Sequence, residues 1–235
     1  MVLTIESKNI KELSGQLRGL GYNANEVFLK LARGDRSSKF IGKSASVEQG
    51  SSGTMFVSHG IHGVISLGEL EPGQMEHIEK IHVILPGNSV KPIATVRLPE
   101  GTLPYFPGDR SAEGDFGYLM EYVEGKSLVY YQKRLEINRN SPSWLSNADT
   151  FVSMAKQAID LVNLLNQNGV AHGDLWPCNV MVSGGRAVLI DPEFVVLHKD
   201  PKKNMEIMLE LEDLRKIRIT AEINRAIRAM TDETY

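Results

Sequence analysis

The sequence predicts an α+β fold in two parts, a sheet-rich N-terminal part and a mainly helical C-terminal part. Residues 40–70 are rich in glycine, serine and β-branched residues, which is typical of a small antiparallel sheet. The run 116–123 (FGYLMEYV) is an apolar segment typical of a buried strand. After it, residues 149–168 and 204–230 have the spacing and composition of helices.

The N-terminal half contains three further elements. Residues 10–20 predict a short amphipathic helix, because four apolar residues share one face and Gly21 follows. Residues 72–85 have apolar side chains at helical spacing before a Pro-Gly pair, and residues 90–98 then predict a strand. Prolines and glycines break up residues 103–115, which we expect to form a loop.

The C-terminal half begins with a turn at residues 124–128 that leads from the buried strand into a helix. Asp149 then opens a long helix that ends before Gly169. Its apolar stripe consists of Phe151, Val152, Ala155, Ile159, Val162 and Leu165. Residues 204–230 are too heavily charged for a membrane span and predict one or two surface-packed helices.

Three polar residues lie around two short apolar runs at 172–179 (HGDLWPCN) and 188–193 (VLIDPE). They are Asp174, Asn179 and Asp191. A lone Asp or Asn in a loop is usually a turn residue or a helix cap. Three of them in this register match the groups that phosphoryl transfer from a Mg-nucleotide needs: a carboxylate that orients the attacking hydroxyl, and a carboxylate and an amide oxygen that hold the metal.

This segment resembles the catalytic and metal-binding loops of the protein-kinase-like superfamily. The pattern H-x-D-L-x-x-x-N is intact, and Asp-Pro-Glu stands where protein kinases carry Asp-Phe-Gly. The resemblance implies ATP and Mg²⁺ as cofactors, Asp174 as catalytic base, and Asn179 and Asp191 as metal ligands. It implies a packing role for His172. Gly173 replaces an Arg that reads activation-loop phosphorylation, so we expect constitutive activity or control by a partner.

The implied fold is a two-lobed protein-kinase-like fold with a small antiparallel-sheet N-lobe and a reduced, mainly helical C-lobe. We expect an N-terminal helical extension at 1–25, a kinase N-lobe at 26–123 and a reduced kinase C-lobe at 124–235. The strand 116–123 resembles the kinase hinge, so the backbone from Glu121 to Val123 is expected to bind the adenine.

The phosphate-covering loop has two possible registers. In the preferred one, Gly50 and Gly53 form the second half of a glycine-rich turn between two strands, where backbone N–H groups can approach the phosphates. In the competing register, Gly68 and Gly73 take this role, and residues 83–98 form the next hairpin.

The cation that pairs with the α- and β-phosphates is the main departure from the family pattern. Kinases carry this Lys on the strand after the glycine loop. In the preferred register that strand is 63–67, which holds no Lys; in the other register Arg97 takes its position. Lys43 is a third candidate, and Glu76 or Glu79 could hold such a cation in place.

Three functions stay open. The favoured one is a minimal Ser/Thr protein kinase, similar to those that some bacteria inject into host cells. It would transfer the γ-phosphate of ATP to a protein hydroxyl, and the resemblance allows a host protein as the substrate. Because HGDLWP and IDPE also resemble aminoglycoside and fructosamine kinases, a small-molecule kinase is the alternative. Only residues 127–147 separate hinge and long helix, which leaves little material to enclose a small acceptor. The missing Lys supports the third, a partner-binding pseudokinase.

Composition excludes other classes of function. The chain has 235 residues, a hydrophobic share of 42% and a formal net charge of −3, enough for one sizeable core or two small lobes. The mild acidity argues against nucleic-acid binding, and the apolar runs are too short to span a membrane. Cys178 is the only cysteine and the N-terminus has no signal-peptide pattern. We expect a cytoplasmic protein, or one secreted into a host cell without a cleaved signal peptide.

Overall fold

The computed structural model describes residues 3–8, 10–19, 45–49, 54–58, 63–67, 74–98, 115–121, 123–137, 141–192 and 200–232. The chain divides into two compact units. The first comprises Met1–Met75 and Lys91–Tyr122, and the second comprises Glu76–Val90 and Val123–Tyr235. Within the described ranges, no helix is both long and apolar enough to cross a membrane.

The first unit is built on a six-stranded sheet with the strand order β1-β5-β6-β4-β3-β2. Its elements are β1 (Leu3–Glu6), α1 (Ile10–Gly19), β2 (Ala45–Gln49), β3 (Thr54–Ser58), β4 (Gly63–Leu67), β5 (Pro92–Leu98) and β6 (Asp115–Glu121). Only the pair β1–β5 is parallel; the other four pairs are antiparallel. The predicted small antiparallel sheet is therefore confirmed, with one parallel strand added from the N-terminus.

Strand pairing bears on the strands that flank the two candidate glycine loops. β2 pairs with β3 from Gln49 opposite Thr54, and β3 pairs with β4, which makes residues 63–67 the strand after that hairpin. The competing register is wrong in its hairpin over residues 83–98, because Gln74–Ile84 is a helix and only Pro92–Leu98 is a strand. The glycines of both registers lie outside the described residues.

The second unit is mainly helical. Its elements are α2 (Gln74–Ile84), β7 (Lys126–Ser127), α3 (Leu128–Ile137), α4 (Trp144–Gln167), a 3₁₀ turn (Pro177–Asn179), β8 (Val180–Ser183), β9 (Arg186–Leu189) and α5 (Pro201–Asp232). The first two residues of α2 belong to the first unit and the rest of it to the second. The three strands form an antiparallel sheet in the order β7-β8-β9. The α+β class is thus confirmed. Residues 76–90 group with this unit, whereas the sequence assigned them to the N-lobe.

Helix α4 is the centre of the core of the second unit. Its buried residues are Trp144, Ala148, Phe151, Met154, Ala155, Ala158, Val162 and Leu165. Helix α5 packs against it with a buried stripe that contains Met208, Ile219, Ile223 and Ala226. Each fully buried large apolar side chain contributes about 1.5–3 kcal/mol relative to an exposed one, so this helix pair forms a stable frame for the loops at residues 169–192.

Two helices differ in extent from the prediction. Helix α4 begins at Trp144, five residues before Asp149, because the buried indole of Trp144 donates a hydrogen bond to the carbonyl of Leu135 and ties the first turn to α3. Residues 201–232 form one continuous helix, and one face of it is buried. Of the one or two surface-packed helices predicted here, the structure has one.

Candidate active site

The loop with the HGDLWPCN pattern starts where α4 stops. Gly169 adopts a left-handed conformation with φ 69°, and the N–H of Val170 donates to the carbonyl of Leu165 at 3.0 Å. This is a glycine C-cap, which ends the helix and turns the chain sharply. The next three residues, Val170 to His172, are buried. The loop therefore leaves the core with a fixed direction.

His172 is fully buried at the base of this loop. Its Nδ1 accepts a hydrogen bond from the backbone N–H of Asp174 at 3.4 Å. Burial and, secondarily, the nearby His77 lower the pKa of His172 to about 3. The imidazole is therefore neutral at physiological pH, with its proton on Nε2. A neutral buried ring agrees with the packing role that the sequence implied.

Asp174 and Asn179 are in direct contact. The side-chain amide of Asn179 donates to Oδ2 of Asp174 at 2.6 Å and to the backbone carbonyl of Asp174 at 3.0 Å. The 3₁₀ turn creates this contact, because the N–H of Asn179 bonds to the carbonyl of Trp176 at 2.9 Å. With both amide protons directed to Asp174, the amide oxygen of Asn179 is the atom that can bind a cation.

Asp191 lies next to this pair. The N–H of Ile190 donates to the backbone carbonyl of Asn179 at 2.9 Å, which places the end of β9 beside the loop. Asp191 itself has φ 53°, a left-handed conformation that Asp tolerates better than most residues. Desolvation of the carboxyl, and secondarily the charge of Asp174, raises the pKa of Asp191, although the residue as a whole is exposed. Asp174, Asn179 and Asp191 are therefore brought together.

This donor set suits a hard cation. Carboxylate and amide oxygens are preferred by Mg²⁺, which usually takes only one or two protein carboxylates and completes its shell with phosphates and water. Among the residues that the structure describes, no group of three or more His, Cys, Asp and Glu forms a preassembled metal cluster. Asn179 and Asp191 would hold the ion, and the raised pKa of Asp191 is a feature that a bound cation would counteract.

Helix α5 adds two residues that the sequence analysis missed. Oε1 of Glu212, which is fully buried, accepts a hydrogen bond from the N–H of Gly173 at 2.8 Å. Nη2 of Arg215 forms an ion pair with Oδ1 of Asp174 at 3.1 Å. The guanidiniums of Arg215 and Arg218 each lie 5.5 Å from the centre of the Trp176 ring.

The sequence did contain a signal for these residues. The buried stripe of α5 runs through Met208, Ile219 and Ile223, and Glu212 and Arg215 occupy the same helical face between them. Burial raises the pKa of Glu212, and the N–H of Gly173 opposes that shift. Charged residues that interrupt an apolar stripe are rarely buried without partners, so their position predicts a polar contact at that face.

The structure describes only some of the residues that are expected to bind the nucleotide. Glu121 ends β6 and pairs with Gly63, and Val123 is half-buried before β7. Gly50, Gly53 and Lys43 lie outside the described residues. Strand β4 holds no Lys. Nη1 of Arg97 on β5 lies 3.9 Å from Oε1 of Glu6, and half of the Arg97 side chain is exposed.

Comparisons with known proteins give structural similarity only. No protein family matches the chain, and no curated protein matches it. A Stt7 homologue from Micromonas algae, from a crystal soaked with ATP, is 17% identical with a TM-score of 0.44 over 66% of this chain and 51% of its own. The BubR1 kinase domain is 16% identical with a TM-score of 0.44 over 65% of this chain and 47% of its own. Similarities of this size do not assign the chain to a family.

Proposed function

We propose that this chain is an ATP-dependent phosphotransferase of the protein-kinase-like kind. The observation that supports it is the joint placement of Asp174, Asn179 and Asp191, with a 2.6 Å hydrogen bond between the first two. A loop-cap role for each residue would not require a second carboxylate beside them. Two oxygen donors for a metal next to a carboxylate that can accept a proton form the minimal arrangement for transfer to a hydroxyl.

In this proposal each residue has a separate role. Asp174 accepts a hydrogen bond from the acceptor hydroxyl and holds its oxygen in line with the γ-phosphate, since orientation supplies much of the acceleration. Asn179 and Asp191 bind Mg²⁺, which neutralises phosphate charge when present. Gly50 and Gly53 are proposed for the phosphates, and the backbone of Glu121 and Val123 for the adenine.

A hydroxyl of Ser or Thr in a protein is the acceptor that we favour. Between β7 and α4 the described part of the chain has one helix, α3, of ten residues. A small acceptor must be enclosed on most sides to be bound tightly, and this short connection offers little material for that. A protein acceptor brings its own surface and needs less enclosure.

The test is incubation of the purified chain with γ-labelled ATP and Mg²⁺, wild type beside Asp174→Asn and Asp191→Asn. Both variants should lose at least about 10³-fold in transfer while they keep the far-UV spectrum and melting temperature of the wild type. Asn suits the Asp191 position because it also tolerates a left-handed conformation. Asp149→Asn, an exposed position on α4, is the matched control and should keep full activity.

A cell lysate and a panel of small hydroxylated acceptors are offered in separate reactions. Label on a protein, lost in Asp174→Asn, would support a protein kinase. Label only on a small acceptor would favour the small-molecule kinase. A chain that transfers no label with either set, or an Asp174→Asn variant with near-wild-type turnover, would overturn the site assignment.

A further inference from the structure

The carboxylate of Asp174 is held from both sides. Asn179 donates to its Oδ2 from the same loop, and Arg215 pairs with its Oδ1 from helix α5. The side chains of Arg215 and Asp174 are only 15% and 27% exposed, so solvent weakens this pair less than it weakens an ordinary surface pair. Two fixed donors on two oxygens leave the carboxylate one orientation.

Arg215 is itself held in place before any substrate binds. Its guanidinium lies 5.5 Å from the centre of the Trp176 ring, a distance at which a cation is attracted to the face of an indole. One turn earlier, Glu212 binds the N–H of Gly173, the residue next to Asp174. Buried residues on either side, such as Met208 and Ile219, anchor the helix. Arg215 therefore approaches the loop from a rigid element.

The ion pair gives Asp174 a cation at a fixed position. Nη2 of Arg215 lies 3.1 Å from Oδ1 of Asp174, and both side chains are mostly shielded from water. A charge-assisted contact at this distance attracts the carboxylate and fixes the oxygen that faces α5.

We propose that Arg215 is a positioning residue for phosphoryl transfer, which holds the Asp174 carboxylate in the orientation that receives the acceptor hydroxyl. The inference rests on the proposed function of Asp174. An ionised carboxylate offers about four lone-pair directions, so Oδ1 and Oδ2 each keep one for a substrate after binding Arg215 and Asn179. The ion pair therefore orients Asp174 without blocking it.

The experiment compares Arg215→Met, Arg215→Lys and Arg218→Met with the wild type in steady-state kinetics. Arg218 is the matched control because its guanidinium contacts the same Trp176 ring, while the ion pair to Asp174 comes from Arg215. Arg215→Met should lower kcat by about 10²-fold, with the KM for ATP changed less than about three-fold. Arg215→Lys keeps a cation and should recover part of the loss, and Arg218→Met should stay near wild type.

The double variant Asp174→Asn/Arg215→Met separates positioning from other roles. If Arg215 acts through Asp174, the double variant should be no slower than Asp174→Asn alone. A further loss in the double variant, an unchanged kcat in Arg215→Met, or an equal loss in Arg218→Met would overturn the inference. So would an increase in kcat, because it would make the ion pair an inhibitory contact.

These outcomes differ from a failure of the proposed function. If the wild type transfers phosphate and Asp174→Asn does not, the function stands and the Arg215 variants test the inference alone. If the wild type transfers nothing, the proposed function fails and the inference fails with it. Melting temperatures of all variants are measured in parallel, since a loss of activity that follows a loss of folded protein would also contradict a positioning role.

Discussion

Residues 172–192 and helix α5 reach the same candidate site by different routes. In the loop, the contacts that matter join residues close in sequence: Asn179 reaches Asp174 across five positions. Helix α5 reaches it from far along the chain, since Glu212 and Gly173 are 39 positions apart. The loop is encoded by a local motif, whereas the helix contribution exists only after α4 and α5 have packed.

This difference shows that a sequence motif predicts the local structure of a site but not all of the residues that complete it. A short pattern determines its own turns, because the hydrogen bonds that build them lie within the pattern. It does not determine which distant side chains complete the charge balance around it. Substitutions that disturb a contact between residues far apart in sequence can be compared with substitutions that disturb only their immediate neighbours.

The largest expected effect on stability is at a distant backbone contact, Gly125→Ala. Gly125 has φ 156°, and a Cβ there would lie 2.2 Å from the carbonyl oxygen of Val182 on β8. Strain and overlap together should lower the free energy of unfolding by about 2–4 kcal/mol, measured by urea denaturation. Gly184→Ala is the local control, with φ 54° and no atom within 4 Å of an added Cβ, and should cost about 1 kcal/mol. Equal costs would remove the distinction between distant and local contacts.

An intermediate effect is expected at the contact between helix and loop, Glu212→Ala. The change leaves the buried N–H of Gly173 without its acceptor, which should cost about 1–3 kcal/mol in the free energy of unfolding. Glu212→Gln keeps an oxygen acceptor and removes the buried charge, so it should cost less than Glu212→Ala. A Gln variant as unstable as the Ala variant would show that the negative charge, and not the hydrogen bond, stabilises the contact.

The smallest single step is the change in stability over one pH unit that the buried His172 causes. Because its pKa is lowered to about 3 in the folded chain from 6.5, it favours folding above pH 6.5, and this contribution is lost as the pH falls toward 3. Within that window the free energy of unfolding should fall by about 1.4 kcal/mol per pH unit for this one proton. Denaturation at pH 7, 6 and 5 measures the slope. NMR of the ring should show His172 neutral at pH 5, and a ring protonated there would contradict the assignment.

The sequence predicts the positions of helices and strands better than it predicts which of them pack or pair with each other. The helices predicted at 10–20 and 72–85 are present as Ile10–Gly19 and Gln74–Ile84, and the strand predicted at 90–98 as Pro92–Leu98. Apolar spacing and stop residues determine such elements locally. The parallel pairing of β1 with β5 was not predicted, because nothing within a four-residue strand specifies a partner some ninety positions away.

The candidate site divides in the same way. Asp174, Asn179 and Asp191 were selected by their spacing, and the structure brings them together; their roles stay predictions. Glu212 and Arg215 were not selected, because a charged residue in a long charged helix is ordinarily solvated. Only the position of the buried stripe shows that these two face the loop.

The fluorescence of the two tryptophans of the chain can report on the contact between α5 and the loop. Trp144 is buried in the core and its indole donates a hydrogen bond to the carbonyl of Leu135, whereas Trp176 is half-buried and has two guanidiniums of α5 near its ring. With Trp144 replaced by Phe, the tryptophan emission of the chain would come from Trp176 alone. Separation of α5 from the loop would move the remaining indole from a charged, partly shielded environment into water. A stopped-flow fluorimeter could then follow the docking of this helix on the loop while the chain refolds.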